Sequence, residues 1–121
     1  MKKSLSLPTD KKIVAIDFDG TITKQDHRIW DGNNSSNDIM EPNLPVINWV
    51  KQNRKNMYLI LWSCRVGKDL EKAVTFCKEL GIEFDSINEN ILIYECSPKI
   101  MADIYLDDKC FRPMDLEEIK L

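Results

Sequence analysis

Three mostly apolar runs, each followed at once by acidic or hydroxyl residues, restrict the fold of this sequence more than any other feature. The runs are residues 13–16, 57–62 and 102–106. Short runs rich in isoleucine, leucine and valine are typical of strands that are covered on both faces. Amphipathic segments of helix length separate them, and this alternation indicates crossover units. The sequence therefore predicts an α/β fold with a mostly parallel sheet.

Two helices are predicted between these strands. The first begins near residue 44 after a proline-flanked start, and the polar residues 51–56 end it. In residues 68–80 apolar positions recur every three or four residues, and Gly81 stands where a left-handed cap ends a helix. Short runs at 82–87 and 91–94 supply edge or third-strand material. Helices on both faces of the sheet would make a three-layer Rossmann-like sandwich.

Length and composition fit one folded domain. The chain has 121 residues, of which 43% are hydrophobic and 31% charged, and no linker or repeat divides it. Its net charge of -3 gives no general attraction for a nucleic-acid backbone, although nucleic acid is not excluded as a substrate. No segment has the character of a signal peptide or a membrane span, so we expect a cytoplasmic protein that does not enter membranes.

The cysteines do not form a recognisable motif. Cys64, Cys77, Cys96 and Cys110 are widely spaced, and His27 is the only histidine. A cytoplasmic chain keeps such thiols reduced, and the spacing does not suit zinc. We therefore expect free thiols and no zinc site, with His27 exposed in a polar loop.

Polar side chains follow each predicted strand at the edge where parallel sheets bind their ligands. Asp17 and Asp19 follow the first strand, Ser63 follows the second, and Asp107 and Asp108 follow the last. Crowded carboxylates raise one another's pKa, so a cluster of four needs a cation to stay ionised. Mg²⁺ prefers oxygen ligands of this kind, and Asp17 with either Asp107 or Asp108 would hold it.

The same edge has the groups that phosphoryl transfer requires. A metal and the ammonium of Lys99 would offset the repulsion between a phosphate and the carboxylate of Asp17, which could then act as nucleophile. Asp19, two residues further on, would protonate the leaving oxygen and later take a proton from water. Gly20 permits a tight turn that presents N–H groups to phosphate, and the Ser63 hydroxyl donates another hydrogen bond.

Four motifs together resemble a known family. DFDGTIT, at residues 17–23, resembles the first motif of the haloacid dehalogenase-like (HAD) hydrolases. Ser63 at the end of LILWS resembles the second motif, Lys99 the third, and the pair Asp107-Asp108 after IYL the fourth. They occur in the family's order and span residues 12–108.

The resemblance implies a magnesium-dependent phosphomonoester hydrolase, a phosphatase that forms a covalent aspartyl-phosphate on Asp17. Asp19 would be the acid/base and, through its backbone carbonyl, a metal ligand. Ser63 and Lys99 would bind the phosphate. The metal ligands would be Asp17, Asp19 and one or both of Asp107 and Asp108.

Substrate identity does not follow from the resemblance. Family members commonly carry a cap domain that selects the substrate, and the chain has no room for one, so residues 1–121 are expected to form a single capless domain. The polar residues 24–43, or a neighbouring subunit if the chain forms an oligomer, would then cover the mouth of the site. The substrate could be a phosphorylated small molecule or a phosphate-ended polymer, and no feature indicates an oligomer.

Other interpretations remain. A receiver-like signalling domain has a similar size and set of residues, but its lysine comes last, after an acid pair and an acceptor aspartate on a middle strand, whereas Lys99 precedes the final acid pair. A third interpretation of the domain is a phosphate-binding module without activity.

Some individual residues also have alternative roles. Ser63 could instead cap the following helix, and Arg65 is expected to be exposed rather than to reach a phosphate. A cysteine phosphatase would need an arginine six residues after Cys64, where Leu70 stands.

Overall fold

The structure is a computed structural model that describes residues 11–24, 40–91 and 99–108. Its strands are β1 (Lys12–Ile16), β2 (Met57–Leu61), β3 (Ser86–Ile87) and β4 (Ile104–Leu106). Its α-helices are α1 (Leu44–Asn53) and α2 (Gly67–Glu79). One wide turn, Phe18–Ile22, follows β1, and a short 3₁₀ turn, Arg54–Asn56, leads from α1 into β2.

The four described strands form one parallel sheet in the order β3-β2-β1-β4. Strand β1 lies between β2 and β4, and Ile16 is aligned with Leu61 on one side and with Leu106 on the other. All three strands therefore end at the same edge, with β1 in the middle. The predicted α/β class with a parallel sheet is confirmed.

The main core lies on one face of the sheet. Both α-helices pack there, because each has an apolar stripe that can be buried only against the strands. The fully buried residues of this face include Val14, Ile16, Leu59, Leu61, Val50 and Cys77. The burial fixes the two crossover helices on the sheet and thereby fixes the loops that enter and leave them.

The opposite face has a smaller apolar cluster. It contains Ala15 and Ile60 from the sheet together with Ile91 and Ile100. Among residues 11–24, 40–91 and 99–108 no α-helix lies on this face. The third layer of the predicted sandwich therefore stays a prediction.

The two short runs predicted to add strand material, 82–87 and 91–94, are described to different extents. The third strand is limited to Ser86–Ile87. Asp85, just before it, is also tied to β2, because its N–H donates to the carbonyl of Leu59 at 2.8 Å and its carboxylate accepts hydrogen bonds from Arg54 and from the N–H of Leu59. The predicted run 91–94 lies outside the described residues beyond Ile91. No described helix is long and apolar enough to cross a membrane.

Candidate active site

The register of the sheet brings the predicted site residues to one edge. The ladder continues one step past β1, because the N–H of Asp17 donates to the carbonyl of Leu106 at 2.9 Å. On the other side, the N–H of Trp62 donates to the carbonyl of Ile16 at 2.8 Å. Asp17 therefore lies between the loops that begin after β2 and β4.

Three carboxylates meet at this edge. Asp17, Asp107 and Asp108 each offer one oxygen, and these oxygens lie within 4.8 Å of one another. Asp17 and Asp107 are half-buried, whereas Asp108 is exposed. Both members of the final acid pair belong to the cluster, so the alternative between Asp107 and Asp108 as metal ligand stays open.

The cluster changes the acidity of its central member. The pKa of Asp17 is raised from its ordinary value to about 6, and burial is the largest cause. The negative charges of Asp107, Asp108 and Asp19 contribute to this rise, while a hydrogen bond with the backbone of Phe18 opposes it. A carboxylate in this position gains more than most from a neighbouring cation, since the cation removes the charge repulsion.

We expect metal-free Asp17→Asn to be more stable than the metal-free wild type near pH 7.5 and equally stable near pH 4. The pKa of Asp17 is about 6 in the folded chain and about 3.9 in an unfolded one. Between about pH 3.9 and about pH 6 the folded state therefore binds one proton at Asp17 that the unfolded state has lost. As the pH rises through this window the stability of the wild type falls. The expected difference is on the order of 2 kcal/mol. Thermal unfolding in chelator measures it, and a difference independent of pH would contradict it.

The turn after β1 shapes the space beside this cluster. The N–H of Thr23 donates to the carbonyl of Phe18 at 3.1 Å and closes the turn. Inside it, Gly20 has a φ of +85°, a conformation that other residues rarely adopt. The N–H of Asp108 donates to Thr21 Oγ1 at 3.2 Å, which ties this turn to the end of β4.

Gly20→Ala is expected to weaken metal binding and to destabilise the fold. A Cβ at position 20 would lie 2.9 Å from Asp108 Cγ and closer still to Oδ2, so the Asp108 carboxylate would have to move. The positive φ adds about 1 kcal/mol or more of strain. Thermal unfolding and magnesium titration measure the two effects. Gly67→Ala is the control, since its φ is +56° but no atom lies within 4 Å of the added Cβ, and it should cost stability alone.

Asp19 faces a partner that the sequence did not predict. Arg65 Nε donates to Asp19 Oδ2 at 2.9 Å, and Nη2 donates to Oδ1 at 2.8 Å. The expectation that Arg65 is exposed is wrong, because the residue is only 8% accessible. A guanidinium is buried only where it is paired, and the carboxylate of Asp19 supplies that pairing. Asp19 is accordingly not a member of the three-carboxylate cluster.

Arg65 is also held from its other side. Its Nη1 donates to the backbone carbonyl of Asp69, in the first turn of α2, at 3.3 Å. Its guanidinium carbon lies 4.9 Å from the ring centre of Phe18, and that ring meets Phe76 edge-on at 5.8 Å. The one sequence signal for this residue was its place two positions after Ser63, in the loop between β2 and α2.

Ser63 belongs to the same loop. Its hydroxyl oxygen accepts a hydrogen bond from the N–H of Arg65 at 3.0 Å, while its own N–H donates to Asn88 Oδ1 at 2.7 Å. The alternative that Ser63 caps the next helix does not hold, since the residue preceding α2 is Val66 and no side chain caps that end. With its oxygen engaged as acceptor, the hydroxyl can still donate one hydrogen bond.

Comparison with known proteins supports the fold. A conserved protein from Bacteroides thetaiotaomicron has 29% sequence identity and a TM-score of 0.67, and the match covers 83% of this chain and 78% of that one. A chain of the Pnkp1/Rnl/Hen1 complex has 22% identity and a TM-score of 0.50. That match covers 99% of this chain and 38% of that one, so this chain spans about two fifths of its length. No protein-family model and no curated protein matches the chain.

The remaining predicted groups are placed less fully. Lys99 is exposed, and its backbone carbonyl accepts a hydrogen bond from Asn90 Nδ2 at 2.9 Å. Its predicted role in phosphate binding stays a prediction. Cys64 and Cys77 are free thiols, as expected, while Cys96 and Cys110 lie outside the described residues.

The segment 24–43, which is predicted to cover the mouth of the site, is described only at its two ends. The N–H of Lys24 donates to the carbonyl of Glu41 at 2.9 Å, and the N–H of Asn43 donates to that of Ile22 at 2.8 Å. These antiparallel contacts bring the ends of the segment together directly after the turn that follows Asp17. The rest of the segment, including His27, lies outside the described residues.

Proposed function

We propose that this chain is a magnesium-dependent phosphomonoester hydrolase in which Asp17 is the nucleophile. The observation that carries the proposal is the cluster of Asp17, Asp107 and Asp108 at the carboxyl edge of a parallel sheet. The Asp19–Arg65 pair beside it adds a fourth carboxylate, whose orientation the arginine fixes. The order of these residues along the chain, and the likeness of the first motif to that of HAD hydrolases, support the same function.

The donor set fits magnesium. Three carboxylate oxygens within 4.8 Å of one another can surround one small cation, and hard oxygen ligands are those Mg²⁺ prefers. Asp17 with Asp107 or Asp108 would hold it, and the backbone carbonyl of Asp19 is a further candidate. When bound, Mg²⁺ supplies the positive charge that lets a carboxylate approach a phosphate dianion.

The first step transfers the phosphoryl group to the protein. An oxygen of Asp17 attacks the phosphorus, and the bond between phosphorus and the ester oxygen breaks. Asp19 gives its proton to the departing oxygen, so the alcohol leaves neutral. Ser63 and Lys99 are proposed to bind the phosphate oxygens, and Gly20 to let backbone N–H groups approach them.

The second step restores the protein. Asp19, now a carboxylate, accepts a proton from a water molecule whose oxygen attacks the phosphorus. The bond between phosphorus and Asp17 breaks, and inorganic phosphate leaves. Each cycle therefore consumes one ester and one water, and both carboxylates return to their starting states.

The deciding experiment is turnover of p-nitrophenyl phosphate in the presence of Mg²⁺. We expect many molecules of p-nitrophenol per chain. One stoichiometric event would instead indicate a receiver-like domain that accepts phosphate, and phosphate binding without product would indicate an inactive module. A panel of sugar phosphates, nucleotides and phosphate-ended oligonucleotides then distinguishes a small-molecule substrate from a polymer.

A further inference from the structure

The contact between Arg65 and Asp19 is more specific than a surface ion pair. The Arg65 side chain is 6% exposed and that of Asp19 20%, and two hydrogen bonds of 2.8 and 2.9 Å join them. A fork-shaped donor that binds both carboxylate oxygens fixes the plane of the carboxylate as well as its distance. A single hydrogen bond, or the ammonium of a lysine, fixes the distance alone.

We infer that Arg65 is a positioning residue that holds the Asp19 carboxylate in the orientation required for proton transfer to the leaving oxygen. The inference rests on the proposed function, since it concerns the residue that exchanges protons there. A carboxylate has about four lone-pair sites, so two bonds from Arg65 leave a site for the proton that Asp19 gives to the leaving oxygen and later takes from water. Arg65 therefore orients Asp19 without blocking it.

Arg65 can orient Asp19 because Arg65 is itself held by the scaffold. It binds the carbonyl of Asp69 in the first turn of α2 and lies over the ring of Phe18. Phe18 packs against Phe76 of the same helix and is fully buried. Positions held by a packed helix vary less than positions held by a loop. The orientation of Asp19 is thus coupled to α2 as well as to the turn in which Asp19 lies.

The competing role for Arg65 is direct binding of the substrate phosphate. The two roles differ in how the effect of a substitution depends on the leaving group. A nitrophenolate leaves readily without a proton, whereas the alkoxide of glycerol needs one, so misplacing the proton donor harms glycerol phosphate most. Loss of a phosphate-binding group harms every phosphomonoester by a similar factor, because all share the same phosphate.

For Arg65→Gln we expect kcat/KM with glycerol phosphate to fall about 10²-fold and kcat/KM with p-nitrophenyl phosphate to fall less than about tenfold, because kcat/KM reports the steps up to departure of the alcohol and not the hydrolysis step that all substrates share. Asp19→Asn should show the same dependence on the leaving group. The double variant should be no slower than Asp19→Asn alone, because both substitutions remove the same function. The magnesium concentration that gives half-maximal activity should stay at the wild-type value in Arg65→Gln.

Two further variants separate orientation from charge and from stability. Arg65→Lys keeps the charge but not the fork, so it should retain the unequal losses. Arg54→Gln is the matched control: Arg54 also pairs with an aspartate, Asp85, at 2.9 Å, but with a side chain that is 27% exposed and away from the cluster. It should lower the unfolding temperature and leave the ratio of the two rates unchanged.

The possible results are distinct. Equal losses on both substrates in the Arg65 variants would overturn the inference and favour phosphate binding by Arg65, while the proposed function would stand. No turnover by the wild type on either substrate would overturn the proposed function and this inference with it. If Arg65→Gln does not fold, as judged by thermal unfolding, Arg65→Lys provides the same comparison.

Discussion

Asp17→Asn should lower turnover by about 10⁴-fold or more while leaving the fold intact. The amide has the shape of the carboxylate, so the hydrogen bond from the Asp17 N–H to Leu106 and the neighbouring strands are retained. The amide has no charge and is a poor nucleophile, so the bond between residue 17 and phosphorus does not form, and there is no aspartyl-phosphate for water to hydrolyse. Phosphate release from p-nitrophenyl phosphate measures the loss, and thermal unfolding shows whether the variant is folded.

The matched control for this substitution is Asp103→Asn. Asp103 is an aspartate at the opposite end of β4, where its carboxylate accepts a hydrogen bond from the N–H of Ile13 at 2.8 Å. An asparagine oxygen can accept the same bond, so we expect wild-type turnover and a stability loss of about 1 kcal/mol. Wild-type turnover by a folded Asp17→Asn would exclude the proposed mechanism, whatever the control shows.

The sheet could be predicted from the sequence because its information is local. Continuous apolar runs identify buried strands, and the helical spacing between them requires parallel crossovers. Once the strands are parallel, the residues after each strand must share an edge, which is how Asp17 and Asp107 could be placed together. The structure confirms this edge, with Ile16 aligned with both Leu61 and Leu106.

The partner of Asp19 could not be predicted in the same way. Arg65 is 46 residues away along the chain, and its direction depends on Phe18, on α2 and on the exact path of the loop after β2. A single sequence shows only an arginine among polar residues, for which exposure is the common outcome. Burial of this arginine is a property of the tertiary contacts, and no local pattern encodes it.

The order of motifs likewise does not fix every side chain. Asp108 joins the cluster because its own N–H is held by Thr21 and its carboxylate lies against Gly20. Neither contact can be read from an acid pair at the end of a strand. The same limit applies to Lys99, since its place in the chain fits the third motif but does not determine where its ammonium lies.

Removal of divalent metal should lower turnover on the order of 10³-fold, and Mg²⁺ should restore it better than Ca²⁺. Without a cation the carboxylates of Asp17, Asp107 and Asp108 repel one another, and the raised pKa of Asp17 shows how unfavourable its charge is there. Mg²⁺ holds a compact octahedron, whereas Ca²⁺ accepts longer and more numerous bonds that would misplace the nucleophile and the phosphate. Activity measured in excess chelator, then with each metal added back, checks this expectation.

Substitution of Asp107 and of Asp108 tests whether the metal that turnover requires is held by this cluster. Asp107→Asn and Asp108→Asn should each raise the Mg²⁺ concentration for half-maximal activity, and the larger increase identifies the stronger ligand. Glu71→Gln, an exposed acid on α2 outside the cluster, removes the same charge and should leave the magnesium requirement unchanged. Activity that persists in excess chelator, or a wild-type magnesium requirement in both aspartate variants, would show that these carboxylates do not hold a catalytic metal.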